Sequence, residues 1–284
     1  MADKKLIYVC LFSILWALAI FFDKNAINAG AEALPYTIQT TVVTVLLLLG
    51  YDLLFRRKEL KTVEIKHVKR LVLIGLFVGT AYILGFYGLK LSTSINYGFL
   101  IKSSLFFTIL LAYIFLKEKL DRNKIMLLLV FTLGAYLVTT GGMLIVPRIG
   151  DILTLITAFC FSAALIITKP LTKEINPDII GLFRVGFGLL LLICLIPFMK
   201  INILEAKAFS FMMMSSLCSA ALVIFLNKTI SVSSASYLTM MSMSVPIIVL
   251  ILGLIFLKEN MNIFQLIGGL MIIVSGVLTQ KSDI

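Results

Sequence analysis

The sequence predicts an all-α integral membrane protein whose ten transmembrane helices form two inverted five-helix repeats. Three observations carry this. Hydrophobic residues make up 61% of the 284-residue chain, charged residues only 14%, and the mean hydropathy is +1.10. The apolar residues fall into ten runs of about membrane-spanning length. The stretch IFLKE occurs at 114–118 and again at 255–259, an offset of 141 residues, half the chain.

Such a composition cannot be hidden in a water-soluble core, because even a large domain leaves about a quarter of its unfolded surface exposed. The net charge of +11 lies in short stretches between apolar runs, above all RRKELKTVEIKHVKR at 56–70. That placement fits loops held against anionic lipid headgroups rather than a nucleic-acid surface. The expected partners are therefore membrane lipid and a small-molecule solute, and no nucleic acid. Cys10, Cys160, Cys194 and Cys218 stand singly in apolar segments, and His67 is the only histidine. Neither a disulfide framework nor a zinc site follows from that pattern, and no metal or cofactor is expected.

A helix needs ~20 apolar residues to cross ~30 Å of hydrocarbon at 1.5 Å per residue. The first run, 6–29, follows Lys4 and Lys5; it exceeds a signal-peptide core and has no small-x-small cleavage site before Asp23, so it reads as a retained first span. Charge, proline or glycine then separates runs at 34–55, 67–91, 94–117, 122–141 and 151–172. The remaining four lie at 177–199, 207–230, 233–257 and 262–280.

An even number of spans puts both termini on one side. With the termini inside, the inner loops and ends hold 17 Lys and Arg residues and the outer loops 6, so both termini are expected in the cytoplasm of a plasma (inner) membrane. The loops are short, which forces consecutive helices to run antiparallel and leaves no exposed domain for a receptor or anchor.

The 141-residue offset also aligns Ser92 with Ser233 and Ser103 with Ser244, laying span 4 on span 9 and span 5 on span 10. The halves are residues 1–141 and 142–284. Five spans is an odd number, so the second half enters the membrane from the opposite side. Inverted repeats of this kind exchange outward-open and inward-open forms around a central site, which is a transporter architecture.

With its length, its two five-helix halves and the stretches AYIFLKEKL and GLIFLKENM, the chain resembles the drug/metabolite transporter (DMT) superfamily, specifically its EamA-type ten-helix members. The resemblance implies a secondary transporter with a cavity lined mainly by spans 1, 3, 4, 6, 8 and 9, with 5 and 10 as supports. Export of amino acids and metabolites is the common theme of that family. Many members carry proline around the middle of span 4, where this chain reads IKSSLFF; span 9 keeps Pro246.

Candidate substrate-binding residues follow from side-chain chemistry at depth. Trp16, the only tryptophan, stands ten residues into span 1 and so ~15 Å deep, away from the interfacial belts. Phe161 holds a comparable place in span 6. Gly75, Gly79, Tyr82 and Phe86 form one stripe of span 3, in which the glycines permit close approach and the aromatics wall a cavity; a phenol at that depth needs a hydrogen-bond partner. Asn227, Tyr237 and Ser244 offer uncharged polar groups in the second half.

Lys102 lies eight residues into span 4, ~12 Å from its outer end, and Asp23 lies ~9 Å below the same surface. The pair is expected to form a charge device at the cavity, with Asp23 the best proton carrier if transport is coupled. Snorkelling to the outer surface is open to Lys102 too, but that helical face would carry the charge past lipid. Arg184, seven residues into span 7, is expected to snorkel to the inner side.

The reading is a secondary transporter, not an enzyme, that moves a small organic metabolite such as an amino acid or related carboxylate by alternating access, with export favoured. Two alternatives stand beside it: an organic cation or drug exporter with an aromatic cage, and a membrane-embedded lipid-modifying enzyme. The latter normally needs metal-binding carboxylates, histidines or an activated nucleophile, and no such cluster is present in or beside the spans. The topology is directly testable. Cysteines introduced at 56–66, a segment with five of the inner basic residues, are expected to react with a membrane-impermeant maleimide only after the cytoplasmic face is exposed. Labelling on intact cells would reverse the orientation.

Overall fold

The computed structural model describes residues 2–59, 63–116, 122–143, 148–198, 205–232 and 242–281, and among them every regular element is helical. The first half holds α1 (Ala2–Asn28), α2 (Ala33–Phe55), α3 (Ile65–Lys90), α4 (Ser94–Leu100), α5 (Ser103–Leu116) and α6 (Arg122–Thr140). The second holds α7 (Ile149–Leu171), α8 (Pro177–Ile193), α9 (Ala206–Val232), α10 (Val245–Ile255) and α11 (Ile263–Lys281). Helices α4 and α5 together make span 4, and α10 belongs to span 9. Among the described residues six stretches are long and apolar enough to cross a membrane alone, and shorter apolar helices supply most of the rest. Span 7 ends earlier than its sequence predicts: α8 stops at Ile193 and a 3₁₀ turn at Ile196–Phe198 follows, because Pro197 cannot continue the hydrogen-bond ladder.

The helix ends are set by local chemistry. Glu64 and His67 form a reciprocal capping box that starts α3. The Asn176 side chain accepts from the Asp178 N–H at 2.9 Å, and Pro177 opens α8 at a position that lacks a hydrogen-bonded N–H in any case. Thr93 caps α4, where the Glu259 carboxylate also accepts from the Ser94 and Ile95 N–H groups at 2.8 and 3.1 Å.

The packing respects an exchange of the halves. Helix α1 lies along α9 as α3 lies along α7, and α3 packs on α8 as α9 packs on α2. Helix α5 meets α7 as α10 meets α1, while α6 pairs with α11 and α2 with α8, each of these pairs joining equivalent spans. This is the contact pattern of two inverted five-helix repeats.

Two of these pairings need glycine. A Cβ on Gly79 would lie 2.8 Å from the Gly188 carbonyl oxygen, which holds α3 against α8. A Cβ on Gly134 would lie 2.7 Å from the Gly268 carbonyl, and one on Gly268 2.5 Å from that of Gly134, so α6 and α11 touch backbone to backbone. Small residues at such contacts supply van der Waals packing where lipid offers no hydrophobic drive. Leu54, Phe115, Leu129, Phe256 and Ile263 instead stay exposed on the outside of the bundle, the arrangement for a lipid solvent.

On the face where α1 begins, ionic contacts join the repeats. Arg56 pairs with Asp178 at 3.2 Å, and Glu174 accepts from Arg70 at 3.2 Å and meets His67 Nε2 at 3.1 Å. On the opposite face, Glu259 of the second repeat caps α4 of the first.

Gly134→Ala is expected to lower the thermal midpoint of the detergent-solubilised protein by an amount equivalent to ~1–3 kcal/mol, the usual range for overpacking. Gly186→Ala, with nothing within 4 Å of the added carbon, is expected to be neutral or stabilising. Equal midpoints for Gly134→Ala and the wild type would refute the close helix contact.

Candidate functional site

Span 4 breaks in the middle even though it has no proline there. Helix α4 ends at Leu100 and α5 begins at Ser103, so Ile101 and Lys102 form the turn between them. Across it the backbone tightens to i→i−3 bonds: Lys102 N–H to Phe99 O at 3.2 Å, Ser104 N–H to Ile101 O at 3.2 Å and Leu105 N–H to Lys102 O at 3.0 Å. The 141-residue offset places a matching 3₁₀ turn, Ser242–Ser244, just before the proline-opened α10. Span 4 of this chain thus breaks without a proline.

Lys102 turns inward from that break. It is 2% exposed, its Nζ lies 3.7 Å from the centre of the Trp16 ring, and among the described residues no group accepts a hydrogen bond from it. Trp16 is held in turn by an edge contact with Phe12, ring centres 5.4 Å apart. A cation over an indole face gains ~2 kcal/mol when desolvated, which only partly offsets the loss of hydration. The ammonium keeps three unused donors.

The expected Asp23–Lys102 ion pair is not made. Asp23 Oδ1 instead accepts from the Tyr36 hydroxyl at 2.7 Å and from Ser215 Oγ at 2.5 Å. The reason is axial position: Lys102 meets α1 at Trp16, and Asp23 is two turns further on, ~10 Å along the helix. Both residues nonetheless reach the same central cavity, of about 260 Å³.

Tyr82 and Phe161 stand on that cavity's wall with ring centres 6.2 Å apart, and Phe86 also lines it while packing on Tyr36 at 4.6 Å. Trp16 and Phe161 pack against one core group that includes Ala17, Ile101 and Ala158. Of the remaining candidates, Ser244 does not line the cavity, although its neighbours Ser242 and Met243 do. The Asn227 side chain and Tyr237 lie outside the described residues.

Two features were missed by sequence reasoning. Arg184 does not snorkel to the inner face; its side chain lines the cavity. Helix α2, expected outside the lining set, contributes Thr37, Thr40, Thr41 and Thr44. Their spacing of three and four residues along one helical face was the available signal.

The sequence profile of the EamA-like transporter family matches residues 3–140 and again residues 148–279. The chain belongs to the EamA-like transporter family. Each match covers one five-helix half, so the family's own repeat coincides with the inverted pair seen in the helix packing. Among 28 solved chains that match this EamA-like protein, one crystal structure, described only as that of a protein, aligns over 100% of both chains with a TM-score of 0.69 at 14% identity. That likeness is one of fold. Comparison with curated protein sequences gave no match. The family is one of membrane transporters within the drug/metabolite superfamily, and this EamA-like chain is an integral membrane protein of that kind.

Because Trp16 is the only tryptophan, its fluorescence reads the Lys102 contact directly. Lys102→Met is expected to change the emission maximum or intensity, and Arg70→Met, on an exposed ion pair at the end of the bundle, to leave both unchanged. Identical spectra for Lys102→Met and wild type would remove the ammonium from the indole face.

Proposed function

We propose that this EamA-like protein is a multi-pass secondary transporter of the plasma (inner) membrane, with both termini cytoplasmic, that exports a small organic metabolite bearing an anionic group. Amino acids and related carboxylates are the substrate class. The halves 1–141 and 142–284 rock about the central cavity and expose it to one side at a time.

The observation that carries this reading is the Lys102 ammonium, buried at the cavity wall with no hydrogen-bond partner among the described residues. A charge left in that condition costs several kcal/mol, and a carboxylate oxygen arriving in the cavity supplies both the counter-charge and the missing acceptor. The aromatic rings of Trp16, Tyr82 and Phe161 provide the apolar wall that small-molecule sites typically combine with a few polar groups. A cation exporter fits less well, because the face of Trp16, the strongest cation-binding ring, already carries Lys102.

In proteoliposomes loaded with a panel of amino acids and carboxylates, Lys102→Met is expected to lower transport of the preferred anion by about 10- to 100-fold, the equivalent of ~1.5–3 kcal/mol for a charge-assisted hydrogen bond. The variant should remain inserted and monodisperse. Unchanged transport of every anion, or selective movement of organic cations by the wild type, would overturn the proposal.

A further inference from the structure

The cavity wall carries two cations, and its one carboxylate, Asp23, pairs with neither of them among the described residues. Among the described residues its ionisable acids and bases are Asp23, Lys102 and Arg184. Asp23 already accepts two hydroxyl hydrogen bonds at the Tyr36 end of the cavity. Arg184, half-buried, has no ion-pair or hydrogen-bond partner among the described residues, and Tyr82 is the group within electrostatic range of it. A guanidinium is always charged and its five N–H donors match a carboxylate in a two-pronged fork.

The helix packing fixes where the two cations stand. Helices α3 and α8 both begin on the face where α1 begins, and Gly79 touches Gly188 between them. Tyr82 is three residues beyond Gly79 and Arg184 four residues before Gly188, so the helices separate the two by about seven residues, or ~10 Å along the axis. Tyr82 stacks edge-on with Phe161, which packs with Trp16 against the same core beneath Lys102. The order through the cavity is therefore Lys102, then an aromatic and apolar stretch, then Arg184.

We infer that Arg184 is a second anion-binding residue of this cavity, and that the transported solute is an α,ω-dicarboxylate. One carboxylate meets the Lys102 ammonium, the other meets the Arg184 guanidinium, and the connecting chain lies along Tyr82 and Phe161. The inference rests on the anion-transport reading above and narrows its substrate class. A monocarboxylate bound at Lys102 would leave the Arg184 guanidinium without a paired counter-charge, because Asp23 is held by Tyr36 and Ser215 at the other end of the cavity, and that penalty separates a solute with both anionic groups from one that lacks the second.

The test is isothermal titration calorimetry on the purified full-length protein, using α,ω-dicarboxylates from succinate to suberate and the monocarboxylate of matching chain length for each. At the best length the dicarboxylate is expected to bind about 10-fold more tightly or better, the ratio that one charge-assisted hydrogen bond supplies. Arg184→Gln is expected to abolish that preference without weakening the monocarboxylate, and Arg184→Lys to restore part of it. Arg184→Met is a second neutral variant, so the comparison survives poor folding of either one. Lys102→Met is expected to weaken both series. Equal wild-type affinity for the two series at every length, or a dicarboxylate preference that persists in both neutral Arg184 variants, overturns the two-anion inference while Lys102-dependent anion binding leaves the broader reading standing. If neither series binds the wild type, or if Lys102→Met binds both series normally, the anion reading falls and this inference falls with it.

Discussion

In hydrocarbon no water is available to accept or donate a hydrogen bond, so each polar group of this chain must be satisfied inside its own bundle. Helical ladders meet that demand for the backbone. The same rule governs the side chains: Thr37, Thr41, Thr44, Thr154 and Thr157 each return their hydroxyl proton to the carbonyl four residues earlier, at 2.6–2.8 Å. Thr37, Thr41 and Thr44 thereby stand on the cavity wall at little energetic cost. Where the ladder breaks, at Ile101 and Lys102, the chain lies against a cavity and not against lipid, and shorter-range backbone bonds carry it across the turn.

Lys102 is conspicuous against that background of local satisfaction. The break directs its ammonium inward, and the inward route ends at the Trp16 ring, which offers a face of negative charge but no lone pair. Asp23, the nearest carboxylate along α1, is engaged with Tyr36 and Ser215 two turns away. The two charges are held apart by the rise of a single rigid helix, so each remains available to a different part of the cavity.

The repeats meet in two physically different ways. Through the middle of the bundle they pack by glycine-permitted backbone contact, as α3 with α8 and α6 with α11. At the face where α1 begins they are joined by ion pairs: Arg56–Asp178, whose carboxylate is buried, and Arg70–Glu174, an exposed pair of a kind that contributes at most ~1 kcal/mol. A contact of that size can be made and broken within a transport cycle. Glu259 on the other face joins the repeats differently, by capping α4 with charge-assisted bonds to two backbone N–H groups.

The sequence by itself determined the solvent, the helical class, the repeat and its inversion, because hydropathy, run length and an odd number of spans per half are properties of the chain read in order. It also marked Trp16, Tyr82, Phe86, Lys102 and Phe161, since aromatic and charged side chains at membrane depth have few other uses. Only the tertiary structure decided which of these groups touch. The missing Asp23–Lys102 pair, the inward course of Arg184 and the threonine face of α2 all depend on helix rotation and on a break in span 4 that no proline announces. Depth counted from a span's end fixes height along one axis; direction around that axis is set by what the neighbouring helices pack against, and that information is shared among segments far apart in the chain.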